Sequence, residues 1–315
     1  SIYDKPVLRE LYQLAKFPGR LKRKYGQRKK EFDRFTKEYL SVTSKQYHSN
    51  EDLKRNLPEA DIFFAGSDQI WNTFFNNGKD PAFYLDFVPM SAIKASYAAS
   101  FATEDVLEEW KPKIKYWLNN LDFISVRESS GVKIAKNLTS KDVVQVLDPV
   151  FLLNVESWEK IEKEVDVSES YILIYDFDNN IELVQFAREL AKENGWKLYS
   201  FLKNDRCDKS FEKEGPRAFL WLIHHAKFIV SNSFHATAFS IIYQKQFVVF
   251  NRKEKINTRM QDLLGDFGIE YCMWGSGRKI SEIDFQVVNT RQKKYMEQSK
   301  NYIKMVLNAR GDNHD

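Results

Sequence analysis

Cysteine is nearly absent. Cys207 and Cys272 are the two in 315 residues, far apart and with no second thiol or histidine at metal-ligand spacing. Neither a disulfide framework nor a zinc site is indicated, and a reducing cytoplasm is expected. Long hydrophobic runs are missing as well: stretches such as Phe228 to Val230 and Phe247 to Phe250 are short. A membrane helix needs ~20 apolar residues, so no transmembrane segment is expected. No basic stretch followed by an apolar block reads as a signal peptide. Neither charge dominates, since 48 basic and 44 acidic residues give +4, which does not suit a dedicated nucleic-acid binder. GxGxxG, GxxxxGK before Ser or Thr, HExxH and GxSxG do not occur. The common dinucleotide, P-loop, zincin and hydrolase readings lose their support with them.

What is present describes a globular enzyme. The chain is 43% hydrophobic and long enough to bury a large core, with a length that favours two domains. From Leu8 to Leu40 the pattern is helical and charged, with Arg20, Lys22, Arg23, Lys24, Arg28, Lys29 and Lys30 around Pro18, Gly19 and Gly26. It reads as a solvated basic helix pair, the alternative being a patch that meets anionic lipid or a lipid-linked phosphate. Short β-rich runs then alternate with helical stretches: Asp61 to Ala65, Ala95 to Ser100, Phe123 to Val126 and Val143 to Leu147, with a helix over Glu104 to Asn119. That alternation argues for a parallel sheet with covering helices.

A boundary falls near Asn154, and a second α/β series follows: strands Tyr171 to Tyr175, Trp196 to Phe201, Phe228 to Val230 and Phe247 to Phe250. Its helices are expected over Ile181 to Asn194, Pro216 to Ala226 and Ala238 to Tyr243. A long polar helix, roughly Asn289 to Leu307, closes the chain, with a weak apolar stripe of Tyr295, Tyr302 and Val306. The predicted units are therefore residues 1–153, 154–285 and 286–315.

Four polar clusters each follow a predicted strand, which is the ligand-binding edge of an open α/β sheet. The first, Gly66-Ser67-Asp68-Gln69-Ile70-Trp71-Asn72, offers a tight turn and helix-capping side chains. In the second, Arg127-Glu128-Ser129-Ser130, a guanidinium fork suits a carboxylate or phosphate and Glu128 an acid or base role; plain ion pairing is the alternative. Asp148-Pro149 fixes an exit, with Asp148 capping the next segment or holding a ligand-facing residue. Last comes Ser231-Asn232-Ser233-Phe234-His235-Ala236-Thr237. A strand-to-helix turn of this kind aims backbone N–H groups and a positive helix end at an anion, and its histidine can move a proton near neutral pH. His224 and His225, in an apolar helical run, read as packed or surface residues.

Taken in order, these clusters together with Ser96-Tyr97-Ala98-Ala99-Ser100-Phe101, Leu147-Asp148-Pro149-Val150, Gly215-Pro216 and Asp262-Leu263-Leu264 resemble the motif set of the polysaccharide pyruvyl transferases. They span about two-thirds of the chain. The resemblance implies two Rossmann-like domains facing a cleft, as in the two-domain (GT-B type) glycosyltransferases. It also implies phosphoenolpyruvate as co-substrate, no separate cofactor or metal, a nucleotide-linked, lipid-linked or polymeric sugar acceptor, and a cyclic pyruvate ketal as product. Such an enzyme would work in the cytoplasm or at the inner face of the membrane.

The residues matched to the family's catalytic positions are Arg127 and His235, with Glu128 or Asp68 expected on the hydroxyl side. Ser231, Asn232, Ser233 and Thr237 are expected around the donor. Arg252, Lys253, Lys255 and Arg259 are candidate phosphate contacts, and Gly66, Ser67, Asp68, Gln69 and Trp71 form the acceptor side. Two departures stand out. Family members usually open with a first strand and an Asn/Gly-rich loop, expected upstream of Ser1, and they often carry glycine where this chain has Ala236. The alternatives are a nucleotide-sugar glycosyltransferase of the same shape and a non-catalytic carbohydrate-binding protein.

Overall fold

The computed structural model describes residues 18–254, 258–277 and 281–309, with side chains in the first helix from Gly26 onward. The basic N-terminal stretch forms one helix, α1 (Pro18–Tyr39), with Pro18 in the first turn where its missing N–H is not needed. The Leu8 to Phe17 part of the expected pair, and the side chains of Arg20, Lys22, Arg23 and Lys24, lie outside the described residues. A short helix α2 (Asn50–Arg55) follows, capped by Ser49.

The first half carries β1 (Ile62–Ala65), β2 (Ile93–Ser96), β3 (Ile124–Val126) and β4 (Val143–Gln145). Two parallel pairs, β1 with β2 and β3 with β4, are joined by bridges from Ala95 to Phe123 and from Ala99 to Val126. Helices α3 (Lys111–Asn119) and α4 (Ser129–Leu138) cover it. The expected helix over Glu104 to Asn119 starts late, because Pro112 belongs in a first turn and Glu108–Trp110 winds as 3-10 turn before it. Trp71, Tyr84, Phe101, Ile114 and Trp117 fill this core.

The second half begins with α5 (Val155–Glu159) and builds one sheet of β5 (Tyr171–Tyr175), β6 (Lys197–Ser200), β7 (Lys209–Ser210), β8 (Phe228–Ser231) and β9 (Phe247–Val249). All pairs are parallel and the order is β7-β6-β5-β8-β9. Side chains alternate along β5. Tyr171 and Leu173 join one core while Ile172 and Ile174 join the other, as expected of a strand covered on both faces. The covering helices are α6 (Ile181–Asn194), α7 (Pro216–His225), α8 (Phe234–Ile242) and α9 (Thr258–Phe267). Gly195 ends α6 at φ 68°, the left-handed conformation glycine takes without penalty. The molecule is thus α/β, two Rossmann-like halves with parallel sheets. The order reverses between β5 and β8, the crevice where such sheets bind ligands.

The last helix, α10 (Phe285–Asn308), starts against the second half, where Val288 is buried, and ends against the first. There Tyr302 and Val306 pack on Ala95, Tyr97, Ala98 and Val146. The Tyr302 hydroxyl donates to the Ser96 carbonyl at 2.8 Å, and Leu147 N–H donates to Ser299 Oγ at 2.8 Å. Among the described residues no helix is long and apolar enough to cross a membrane.

Candidate active site between the two sheets

Arg127 leaves β3 with its N–H bonded to the Ala99 carbonyl at 3.1 Å, and its side chain is only 3% exposed. A buried guanidinium needs carboxylates, and two reach its fork. Nη1 donates to Asp148 Oδ2 at 2.6 Å and Nη2 to Asp68 Oδ1 at 3.2 Å. The guanidinium also lies over the Phe234 ring at 4.2 Å, so a side chain of the second half supports a cation of the first. Asp148 accepts from Val150 N–H with its other oxygen, and so both caps a turn and holds Arg127.

Arg259, on α9, donates Nη1 to the same Asp68 Oδ1 at 3.0 Å and sits 5.8 Å from the Phe234 ring centre. One carboxylate oxygen therefore bridges two guanidiniums from opposite halves. Asp68 itself is 54% exposed. Burial pushes its carboxyl up, but the charges of Arg127 and Arg259 outweigh that and hold it below the usual range. Burial and the neighbouring Arg127 bring Arg259 down to about 10.

His235 does not sit in a free loop ahead of a helix at Ala238. The helix starts four residues earlier, at Phe234, because Ser233 caps it through Oγ and Ala236 N–H. His235 is accordingly in the first turn of α8, at its positive end. Desolvation lowers its pKa; Asp148 and Asp68 act in the opposite direction, and Arg127 and Arg259 reinforce the lowering. The neutral imidazole is favoured, and its ring makes no hydrogen bond to a described residue. Arg127, Asp68, Arg259, Asp148 and His235 thus form one electrostatic unit.

Other expected site residues hold the scaffold. Ser231 Oγ donates to the Tyr175 carbonyl and accepts from Ser233 N–H, and Thr237 Oγ1 donates to the Ser233 carbonyl. Asn232 donates to Asp176 at 2.7 Å and accepts from Phe177 N–H. These groups tie the β8 turn to the β5 turn and to the first turn of α8. Arg252 and Lys253 are drawn to Asp178, the first through Nε at 3.1 and 3.2 Å and the second through its N–H at 2.9 Å. Lys255 lies outside the described residues.

Glu128 is fully buried. Its Oε1 accepts from Ser100 Oγ and from the N–H groups of Phe101 and Ala102, at 2.8 to 3.0 Å. Its Oε2 lies 3.9 Å from Arg127 Nε without a hydrogen bond. Desolvation raises its pKa. The geometry fits a brace for the β2 turn better than a group that meets a hydroxyl. Trp71 is likewise interior: it is fully buried, donates Nε1 to the Phe83 carbonyl and stacks on Tyr84. Gly66 lets the chain pass Tyr97, whose carbonyl oxygen would lie 2.0 Å from an added Cβ. Ser67 is half-buried on that turn, and the Gln69 amide faces Arg259.

Two features escaped the sequence reading. Asp262 of α9 caps α4 across the halves, accepting from Ser129 Oγ at 3.0 Å and Ser130 N–H at 3.3 Å, while Gln145 donates to Asp266 at 2.9 Å. The Phe234 platform was the other. The sequence signal for both was faint: an acidic residue before a leucine pair, and an aromatic inside a polar turn. Away from the cleft, Glu162, His224 and His225 bring potential metal-ligand atoms within 4.8 Å of one another. His224 also bonds Glu162 at 3.0 Å and stacks on Tyr243.

Parallel sheets of two halves that meet at paired arginines and a helix-borne histidine define an α/β protein with a charged cluster between its halves. The sequence pattern of one family, polysaccharide pyruvyl transferase, matches residues 7–254, more than half of the chain, and the chain belongs to that family. No curated protein matches it. Among solved structures it is similar to Arabidopsis thaliana UGT89C1 complexed with quercetin, at 8% identity and a TM-score of 0.33. That alignment covers 82% of this chain, which spans 63% of the Arabidopsis protein.

Proposed function

We propose that the protein transfers the pyruvyl unit of phosphoenolpyruvate to two hydroxyls of a sugar, forming a cyclic ketal. The observation that carries this reading is the single Asp68 oxygen held between Arg127 and Arg259 beside the first turn of α8. A carboxylate already occupies the position, and phosphoenolpyruvate brings a carboxylate and a phosphate on one small frame. Arg259 and the α8 amides suit its anionic groups, while Arg127, fixed by Asp148, sets the direction of the fork.

In the reaction the first sugar oxygen bonds to the central enol carbon, and its proton passes through neutral His235 to the methylene carbon, which becomes a methyl group. The second hydroxyl oxygen then displaces phosphate from that carbon. Its proton leaves with the phosphate as hydrogenphosphate, so atoms and charge balance. Asp68, held ionised, orients a hydroxyl as it yields its place between the arginines. The acceptor is a nucleotide-linked, lipid-linked or polymeric sugar, and the work is done in the cytoplasm or at the inner face of the membrane.

The test is incubation with phosphoenolpyruvate and a panel of activated sugars, following inorganic phosphate and product mass. Phosphate release that needs both substrates, with a pyruvate ketal in the product, supports the reading. Release of a nucleoside diphosphate from a nucleotide sugar instead would overturn it.

A further inference from the structure

Beside the arginine pair lies a groove of about 570 Å³ whose lining includes Phe74, Thr103, Glu104, Asp105, Thr258 and Gln261. Its walls draw on the two segments that carry Asp68 and Arg259. Phe74 follows the turn that carries Asp68, and Thr258 and Gln261 flank Arg259 on the first turns of α9. We infer that this groove holds the uncharged sugar ring of the acceptor, with Phe74 as its stacking platform; the inference rests on the function proposed above.

Three observations converge on that occupant. Phe74 is 62% exposed, on a main chain held by its N–H bond to Asn72 Oδ1 at 3.0 Å. An exposed aromatic ring offers apolar surface that a partner can cover, and the C–H face of a pyranose fits it. Among the described residues the lining carries no cationic side chain and two carboxylates, Glu104 and the Lys111-paired Asp105. This disfavours a phosphate or diphosphate in the groove and favours hydroxyls, which donate to carboxylates. Gln261 adds to the lining an amide that can both donate to and accept from ring hydroxyls. The volume lies within the range of small-molecule sites.

The experiment compares wild type with Phe74→Ala, Glu104→Gln and, as a control, Phe75→Ala, using phosphoenolpyruvate and whichever sugar of the panel supports phosphate release. Phe74→Ala should raise the KM for the sugar by roughly tenfold or more, as loss of a central aromatic contact does. The KM for phosphoenolpyruvate and the melting temperature should stay as in wild type. Glu104→Gln should raise the same KM by a smaller factor, and Phe75→Ala should leave it unchanged. An unchanged sugar KM in Phe74→Ala, or an equal rise for both substrates, would overturn the groove assignment while leaving the pyruvyl-transfer reading intact. Absence of phosphate release by wild type with every sugar would instead sink that reading itself, and this inference with it.

Discussion

Arg127 and Arg252 invite comparison. Each lies beyond the end of a strand, over a phenylalanine, with an aspartate on its guanidinium: Phe234 and Asp148 for the first, Phe177 and Asp178 for the second. The difference lies in the last partner. Asp178 is 8% exposed and also accepts from Lys253 N–H, and the Glu254 carboxylate, 57% exposed, takes Arg252 Nη2 at 3.1 Å from two residues away. Asp68 is also half in solvent but is divided between guanidiniums of both halves, and in the proposed reaction its place passes to the substrate anion. What sets the first cluster apart is a counter-ion shared across the two halves.

The largest effect that would break this comparison should come from Arg127→Lys. A point charge cannot serve Asp148 and an incoming anion with one rigid fork, and turnover should fall by roughly 10²–10³-fold; near-normal kcat/KM would remove Arg127 from the site. His235→Asn should cost on the order of 10²-fold. Because the depressed pKa leaves the imidazole neutral, wild-type kcat/KM should hold level above neutrality and fall only as pH drops through a value below that of an ordinary histidine. His235→Asn should lose that acid limb, and an unchanged profile would show that another group moves the proton. The smallest effect on catalysis belongs to Arg252→Ala, with kcat/KM within about threefold of wild type while the melting temperature drops by roughly 2–4 °C. A large loss of activity there would erase the distinction between the two clusters.

Much of the architecture was legible because strand and helix periods are local. Tyr171–Tyr175 and Ile181–Asn194 fall at the expected bounds, the helix ending at Gly195. The motif set also led to Arg127 and His235. What could not be read was which polar groups are satisfied inside the protein. Ser231, Asn232, Ser233 and Thr237 look like ligand donors in sequence, and the β5 turn and the α8 cap take up their bonds. Trp71 stands three residues from Asp68 but faces Tyr84 in the core. Arg259 could be named only as one cation among four, since its contact with Asp68 joins residues 191 apart in sequence.

The α10 crossing gives the nascent chain a particular history. Ser96, Leu147 and the apolar Ala95–Ala98 surface leave the ribosome early, but their partners Tyr302, Ser299 and Val306 are synthesised after every strand of both sheets. Until α10 emerges, the older half presents an uncovered apolar face and a Leu147 N–H without its Ser299 acceptor, a state that chaperones recognise. A nonsense codon after Phe285 would therefore do its damage some two hundred residues upstream, in the half that was translated first.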